Sequence, residues 1–162
     1  MSTFVSVGNA TQPFPRLLDG VAAIASDLPQ PVFVQSGSTP FHAEGCQAAR
    51  FLTMSEFEIR VGQSTLLITH AGAGSVITAL QAGKVAVVMP RRVADGEVID
   101  DHQVEFAREL AAAGRIVVAD EATDLLSAAR EALARQDGAH RDGSAPAMVG
   151  LIADVLRRHA NR

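Results

Sequence analysis

A chain of 162 residues with 48% hydrophobic residues is long enough for one domain with a buried core and too apolar for a disordered segment. Its 14 Lys and Arg against 18 Asp and Glu leave a formal charge of −4, and Tyr and Trp are absent, so neither a basic face nor base-stacking rings argue for nucleic acid. The single cysteine, Cys46, excludes an internal disulfide and a cysteine-rich zinc site and fits a reducing compartment.

The N-terminal MSTFVSVGN has no basic region and no long apolar stretch, so no signal peptide is expected. No apolar run is long enough to cross a bilayer, and a cytoplasmic protein, held at a membrane only through a partner, is expected. Six apolar runs of strand length follow in order, at residues 3–7, 32–35, 50–54, 65–69, 85–89 and 115–119. They alternate poorly, as strands buried on both faces of a parallel sheet do. Helical patterns lie between them. Leu17, Leu18, Val21, Ile24 and Ala25 form one apolar face, and residues 55–62 follow Ser55 with Glu58 at capping-box spacing. Helices are also expected at residues 75–82, at 104–113 before Gly114, and at 122–134. The β-α alternation predicts an α/β fold, a Rossmann-like doubly wound parallel sheet of about six strands. The whole chain, 1–162, reads as one domain with a core at 1–135, a polar linker at 136–146 and a C-terminal helix at 147–160.

The chemistry concentrates in THAGAGS, residues 69–75. The strand delivers His70 to the C-terminal edge of the sheet, where open α/β sheets bind ligands. Gly72 and Gly74, with Ala73 between them, leave backbone N–H groups open to close approach, and a helix starting near Ser75 adds the positive end of its dipole. Such a turn suits a phosphate; the plain alternative is a tight strand–helix connection capped by Ser75. His70 can hydrogen-bond a phosphate, or carry charge when the phosphate raises its pKa. A dinucleotide fits poorly, because Ile77 stands where a third glycine belongs and no acidic residue ends the strand at 85–89.

Three further segments reach the same edge. The first strand runs into Gly8, Asn9 and Thr11, which can meet a ligand or cap the next helix. Gln35 to Ser38 form a similar loop with the same two readings. After the fifth strand come Arg91 and Arg92, suited to a diphosphate or a sugar carboxylate and otherwise solvated surface. The run DDHQ then places Asp100, Asp101, His102 and Gln103 at a helix start, where Asp and Gln can grip sugar hydroxyls. Asp95 and Glu97 make a poor metal site, and no metal is expected. Cys46 reads as a packing residue.

Taken together, SVGN…QPF, VFVQSG, ITHAGAGS, ALQAGK, VVMPR and DDHQ resemble the C-terminal, donor-binding half of GT-B enzymes in glycosyltransferase family 28. The likeness is strongest to the small stand-alone members that form one half of a split transferase. These include the cytosolic subunit of the dolichol-linked GlcNAc transferase and the PssE-type exopolysaccharide proteins. The resemblance implies that His70, Gly72, Gly74 and Ser75 hold the diphosphate of a UDP-sugar, with His70 stabilising the leaving group. Asp101 and Gln103 would contact the sugar, and Gly8 and its loop would lie beside the phosphates. It implies no metal or cofactor, and a membrane-anchored partner subunit that binds a lipid-linked saccharide acceptor and supplies the general base. UDP-glucuronate is the preferred donor, because Arg91 and Arg92 can pair with a carboxylate; UDP-glucose and UDP-GlcNAc remain open. The chain departs from relatives at Thr78, where a ribose-gripping Glu is common. It departs again at Asn9 to Pro15, where Ala10 and Thr11 replace a His and a Glu. These departures motivate the alternative of a non-catalytic accessory or nucleotide-binding subunit.

Overall fold

The structure, a computed structural model, describes residues 1–142, 153–154 and 157–158. Its strands are β1 (Thr3–Ser6), β2 (Val32–Gln35), β3 (Cys46–Ala49), β4 (Leu66–His70), β5 (Val87–Met89) and β6 (Val117–Val118). All five pairings are parallel, in the order β3-β2-β1-β4-β5-β6. Chain order therefore runs outward in opposite directions from β1 and β4. The crevice at their C-terminal ends is the switch point where open sheets take ligands.

Strand periodicity divides the core into two layers. Val5, Val34, Ile68 and Val87 face α1 (Pro15–Ile24) and α5 (Leu125–Asp142), packing with Leu17, Leu18, Val21, Leu125 and Ala129. Phe4, Leu67 and Val88 face the opposite way, onto α2 (Met54–Gln63), α3 (Ala73–Gln81) and α4 (His102–Ala112), through Val61, Val76, Leu80, Phe106 and Leu110. The partly buried Cys46 packs against the first layer, and its thiol pKa is raised by that burial.

Several expected boundaries move. The third strand is Cys46–Ala49, not 50–54: as an edge strand it pairs only with β2 and is no more than half-buried, so it needs no apolar run. Residues 50–53 connect it to α2, which starts earlier than expected. Its cap is Thr53, whose Oγ1 accepts from the Glu56 N–H at 3.2 Å while the Glu56 carboxylate accepts from the Thr53 N–H at 2.8 Å. The capping box is thus Thr53 and Glu56, in place of Ser55 and Glu58.

The expected linker is helical over residues 136–142, because α5 continues to Asp142. Gln136 explains the extension. Its buried carboxamide accepts from the Val85 N–H at 3.2 Å and donates to the Thr65 carbonyl at 3.0 Å, docking the helix on the sheet. Residues 143–146 and most of the expected helix at 147–160 lie outside the described residues; 153–154 and 157–158 are helical. Among the described residues no helix is long and apolar enough to cross a membrane.

Candidate functional site

The C-terminal ends of β1, β2 and β4, with the starts of α2 and α3, enclose a cavity of about 260 Å³. Gly8, Asn9, His70, Gly72, Gly74, Ser75 and Thr78 line it, as the sequence places them. Ala73 is the first residue of α3, whose start precedes the expected Ser75.

His70 is the centre of this arrangement. Its ring stands close against two glycines: a Cβ on Gly8 or on Gly72 would stand well inside van der Waals contact with the imidazole. Gly8 has φ +74°, a second reason for glycine there. The Gly72 N–H donates to His70 Nδ1 at 3.1 Å, and Nε2 lies 3.3 Å from Ser75 Oγ. Burial, and then the nearby Arg91 cation, push the His70 pKa down to about 4, against a hydrogen bond with the Gln103 side chain. The imidazole is therefore neutral at pH 7. With Nδ1 accepting, its proton sits on Nε2, so His70 serves as an uncharged N–H donor.

That shift has a stability consequence. An unfolded His70 titrates at about 6.5. Between that value and the folded pKa of about 4 the unfolded chain binds more protons, so stability rises with pH in this window. The His70 contribution is complete above the unfolded pKa and falls by up to ~1.4 kcal/mol per pH unit on acidification. Urea unfolding of wild type at pH 7 and pH 5 is expected to show this loss, and His70→Gln to show less of it. Equal pH slopes in the two proteins would remove His70 as its source.

The start of α3 is the second element. Gly72 occupies the N-cap position and no side chain caps the helix. Ser75 does not cap it, contrary to the plain expectation, and faces His70 instead. The first-turn N–H groups are left to other partners, at the positive end of the dipole. Thr78 Oγ1 donates to the Gly74 carbonyl at 2.9 Å, so its hydroxyl is engaged with its own helix.

The opposite wall was not legible as a site. Leu52, Thr53, Met54 and Phe57 line the cavity from the start of α2; Gln35, expected to meet a ligand or cap a helix, lines it as well. Apolar residues at helix spacing carry no mark that separates a ligand wall from core. Gln35, buried at the end of β2, links Ser6 and Asn9. Ser6 Oγ donates to Gln35 Oε1 at 2.7 Å, and Gln35 Nε2 donates to Asn9 Oδ1 at 3.0 Å.

Other expected residues stand elsewhere. Arg91 is buried, not on the binding edge. Its Nη1 donates to the carbonyls of Gln12 at 2.8 Å and Glu97 at 3.0 Å, its Nη2 donates to Val7 O at 2.9 Å, and the guanidinium lies over the Phe14 ring. Arg92 is bound between Asp95 at 2.6 Å and Glu121 at 2.8 Å, and both carboxylates hold its pKa above the usual range. Glu97 is buried and accepts two bonds from Arg16, at 2.9 and 2.8 Å. Neither arginine offers a free fork to a sugar carboxylate.

The DDHQ segment does not line the cavity, and Gln103 alone of its residues reaches the site, through its hydrogen bond with His70. Asp101 Oδ1 accepts from the Val93 N–H at 3.2 Å, Asp100 Oδ1 from the His102 N–H at 3.0 Å, and Gln103 Oε1 from the Arg91 N–H at 3.2 Å. These side chains fasten the loop after β5 to the start of α4. His102 and Thr11 are exposed. Among the described residues no cluster of three His, Cys, Asp or Glu is placed to hold a metal ion.

A Rossmann-like sheet of this order, with its crevice between β1 and β4, is an architecture that halves of GT-B glycosyltransferases share. The chain belongs to glycosyltransferase family 28: residues 2–146 match the family's C-terminal domain. It is similar to the UDP-N-acetylglucosamine transferase subunit ALG13 of Eremothecium gossypii, 30% identical over 121 residues, which are 71% of this chain and 56% of that protein. To ALG13 of Yarrowia lipolytica it is 37% identical over 73 residues, 44% of this chain and 35% of the relative. The matched stretches thus span about a third to a half of these relatives. The fold is shared with the kitacinnamycin glycotransferase, at TM-score 0.67 and 20% identity, covering 98% of this chain and 39% of that one. It is also shared with Acinetobacter baumannii MurG, at TM-score 0.56 and 19% identity, covering 82% of this chain and 41% of that one.

Proposed function

We propose that this chain is the donor-binding half of a two-component glycosyltransferase that takes a UDP-sugar. The observation that carries the proposal is the uncapped start of α3 beside the neutral His70, at the switch point of the sheet. A diphosphate seated there meets first-turn N–H groups, the His70 Nε2–H and the Ser75 hydroxyl. The apolar wall of Leu52, Met54 and Phe57 suits the flat face of a uracil. In the reaction an acceptor hydroxyl oxygen attacks the anomeric carbon. The bond from that carbon to the diphosphate oxygen breaks, and UDP leaves with the electron pair. Aligned donors stabilise the charge growing on that oxygen, each worth roughly 3–4 kcal/mol in comparable sites. A separate acceptor-binding subunit takes the hydroxyl proton, and the relatives' own description as subunits supports this division.

The donor sugar is uncharged. The case for UDP-glucuronate rested on Arg91 and Arg92, and both are engaged within the protein. GlcNAc is the favoured sugar, given what the relatives are named for. The partner is a membrane-anchored subunit carrying a polyprenyl-diphosphate-linked saccharide acceptor at the cytoplasmic face, in polysaccharide synthesis. The donor site needs no metal in this scheme. Thr78 favours one second reading, nucleotide binding without turnover, because its hydroxyl is turned onto Gly74 and makes no two-point ribose grip.

Titration calorimetry with UDP, UDP-GlcNAc and UDP-glucuronate tests the assignment, on the chain alone and co-purified with an acceptor-binding partner subunit. UDP and UDP-GlcNAc are expected to bind, and UDP-glucuronate more weakly. Absence of binding in both preparations overturns the donor site. Binding without sugar transfer in the co-purified preparation selects the accessory reading.

A further inference from the structure

We propose that Gln35 is a positioning residue for ligand binding, holding the Asn9 carboxamide with its NH₂ toward the cavity. The inference rests on the donor-site assignment above. The hydrogen-bond directions follow from one backbone group. Gly8 N–H can only donate, and it donates to Ser6 Oγ at 3.2 Å. Ser6 is fully buried, so its own O–H needs an acceptor, and Gln35 Oε1 at 2.7 Å supplies it. That fixes which end of the Gln35 amide faces Ser6. The other end, an NH₂ that only donates, faces Asn9 at 3.0 Å, so the Asn9 atom against it is Oδ1. Asn9 lines the cavity and is exposed, so its remaining end, the NH₂, is the end left for a ligand. Two polar side chains, Ser6 and Gln35, thus orient the neutral donor pair of Asn9.

The chemistry selected is an oxygen acceptor without a proton to give. Phosphate oxygens are the best match, because a carboxamide NH₂ bonds an anion more strongly than a neutral hydroxyl. Without Gln35 the Asn9 amide has no fixed sense and can equally present Oδ1, which repels a phosphate.

The test is a double-mutant cycle on UDP affinity with Gln35→Met and Asn9→Ala, read by calorimetry at fixed salt. Each single variant is expected to bind UDP about tenfold more weakly, the size of one lost hydrogen bond to a charged group. If Gln35 acts through Asn9, Gln35→Met in the Asn9→Ala background causes no further loss. A double variant weakened by the product of the two single effects, about a hundredfold, overturns the inference and leaves Gln35 a merely structural residue. Should Gln35→Met fail to fold, Gln35→Glu keeps the acceptor for Ser6 and removes the donor to Asn9. Its loss of affinity is then expected to be smaller in the Asn9→Ala background than in wild type, and an equal loss overturns the proposal. Wild-type protein that binds no UDP is a different result: it removes the donor site itself, and the inference with it.

Discussion

Arg91→Met is expected to destabilise the chain by on the order of 3 kcal/mol, read as a lowered urea midpoint with an unchanged slope. The guanidinium is almost fully buried and donates to carbonyls of Val7, Gln12 and Glu97. Those carbonyls belong to the loop after β1 and the loop after β5, so one side chain ties together two segments that no strand pairing joins. Methionine fills the volume and preserves contact with the Phe14 ring, but it leaves the three carbonyls without this donor. Each orphaned buried acceptor costs roughly 1–3 kcal/mol, and relaxation of the loops recovers part of the sum. The carboxylate of Glu97 stays paired with Arg16, so no uncompensated charge is added to the cost. Arg91→Lys is expected to fall between the two, because a compact ammonium cannot span the carbonyls that a planar fork reaches. A midpoint for Arg91→Met equal to that of wild type would show that water or loop movement satisfies those carbonyls.

Arg91 also marks the boundary of what the sequence discloses. Its partners at Val7 and Gln12 lie 84 and 79 residues earlier in the chain and are backbone atoms, which leave no trace in residue identities. Charge next to a strand end looks the same whether it faces a ligand or a ring of carbonyls. Gln136 was misread for the same reason, since its tethers at Val85 and Thr65 are main-chain groups 51 and 71 residues away. What was legible is what is local or periodic. Leu66–His70 is buried at every position, and the consecutive Leu66, Leu67 and Ile68 signal a buried strand without knowledge of its neighbours. The glycines around His70 were legible as a turn, because backbone freedom is encoded in the residue itself. The edge strand Cys46–Ala49 was not, because half-buried residues at a sheet margin need no apolar pattern. DDHQ stood between these cases: a helix start was visible, but the use of Asp101 and Gln103 to bind the N–H groups of Val93 and Arg91 was not.

Two glycines of one turn are expected to respond oppositely to the same substitution. Gly72 has φ −68°, which alanine adopts without strain, so any cost of Gly72→Ala comes from space alone. Its Cβ would overlap the His70 ring. The ring has little room to move, because Gly8 also stands close against it and Ser75 lies beside Nε2. The imidazole or the start of α3 must shift, and overpacking of this kind costs about 1–3 kcal/mol. UDP affinity is expected to fall at least tenfold with it, since both groups that meet the diphosphate lose their alignment. Removing the ring should remove the conflict. In a His70→Ala background the Gly72→Ala change is expected to be neutral or stabilising by about 0.5 kcal/mol, through the lower entropy of the unfolded chain. That reversal of sign in urea unfolding is the signature of a steric cause; the same cost in both backgrounds would place the cause in the backbone. A Cβ on Gly74 meets nothing, so Gly74→Ala should leave stability unchanged or slightly raised. If it weakens UDP binding while the fold is intact, Gly74 is glycine for the approach of the ligand, and Gly72 for the accommodation of His70.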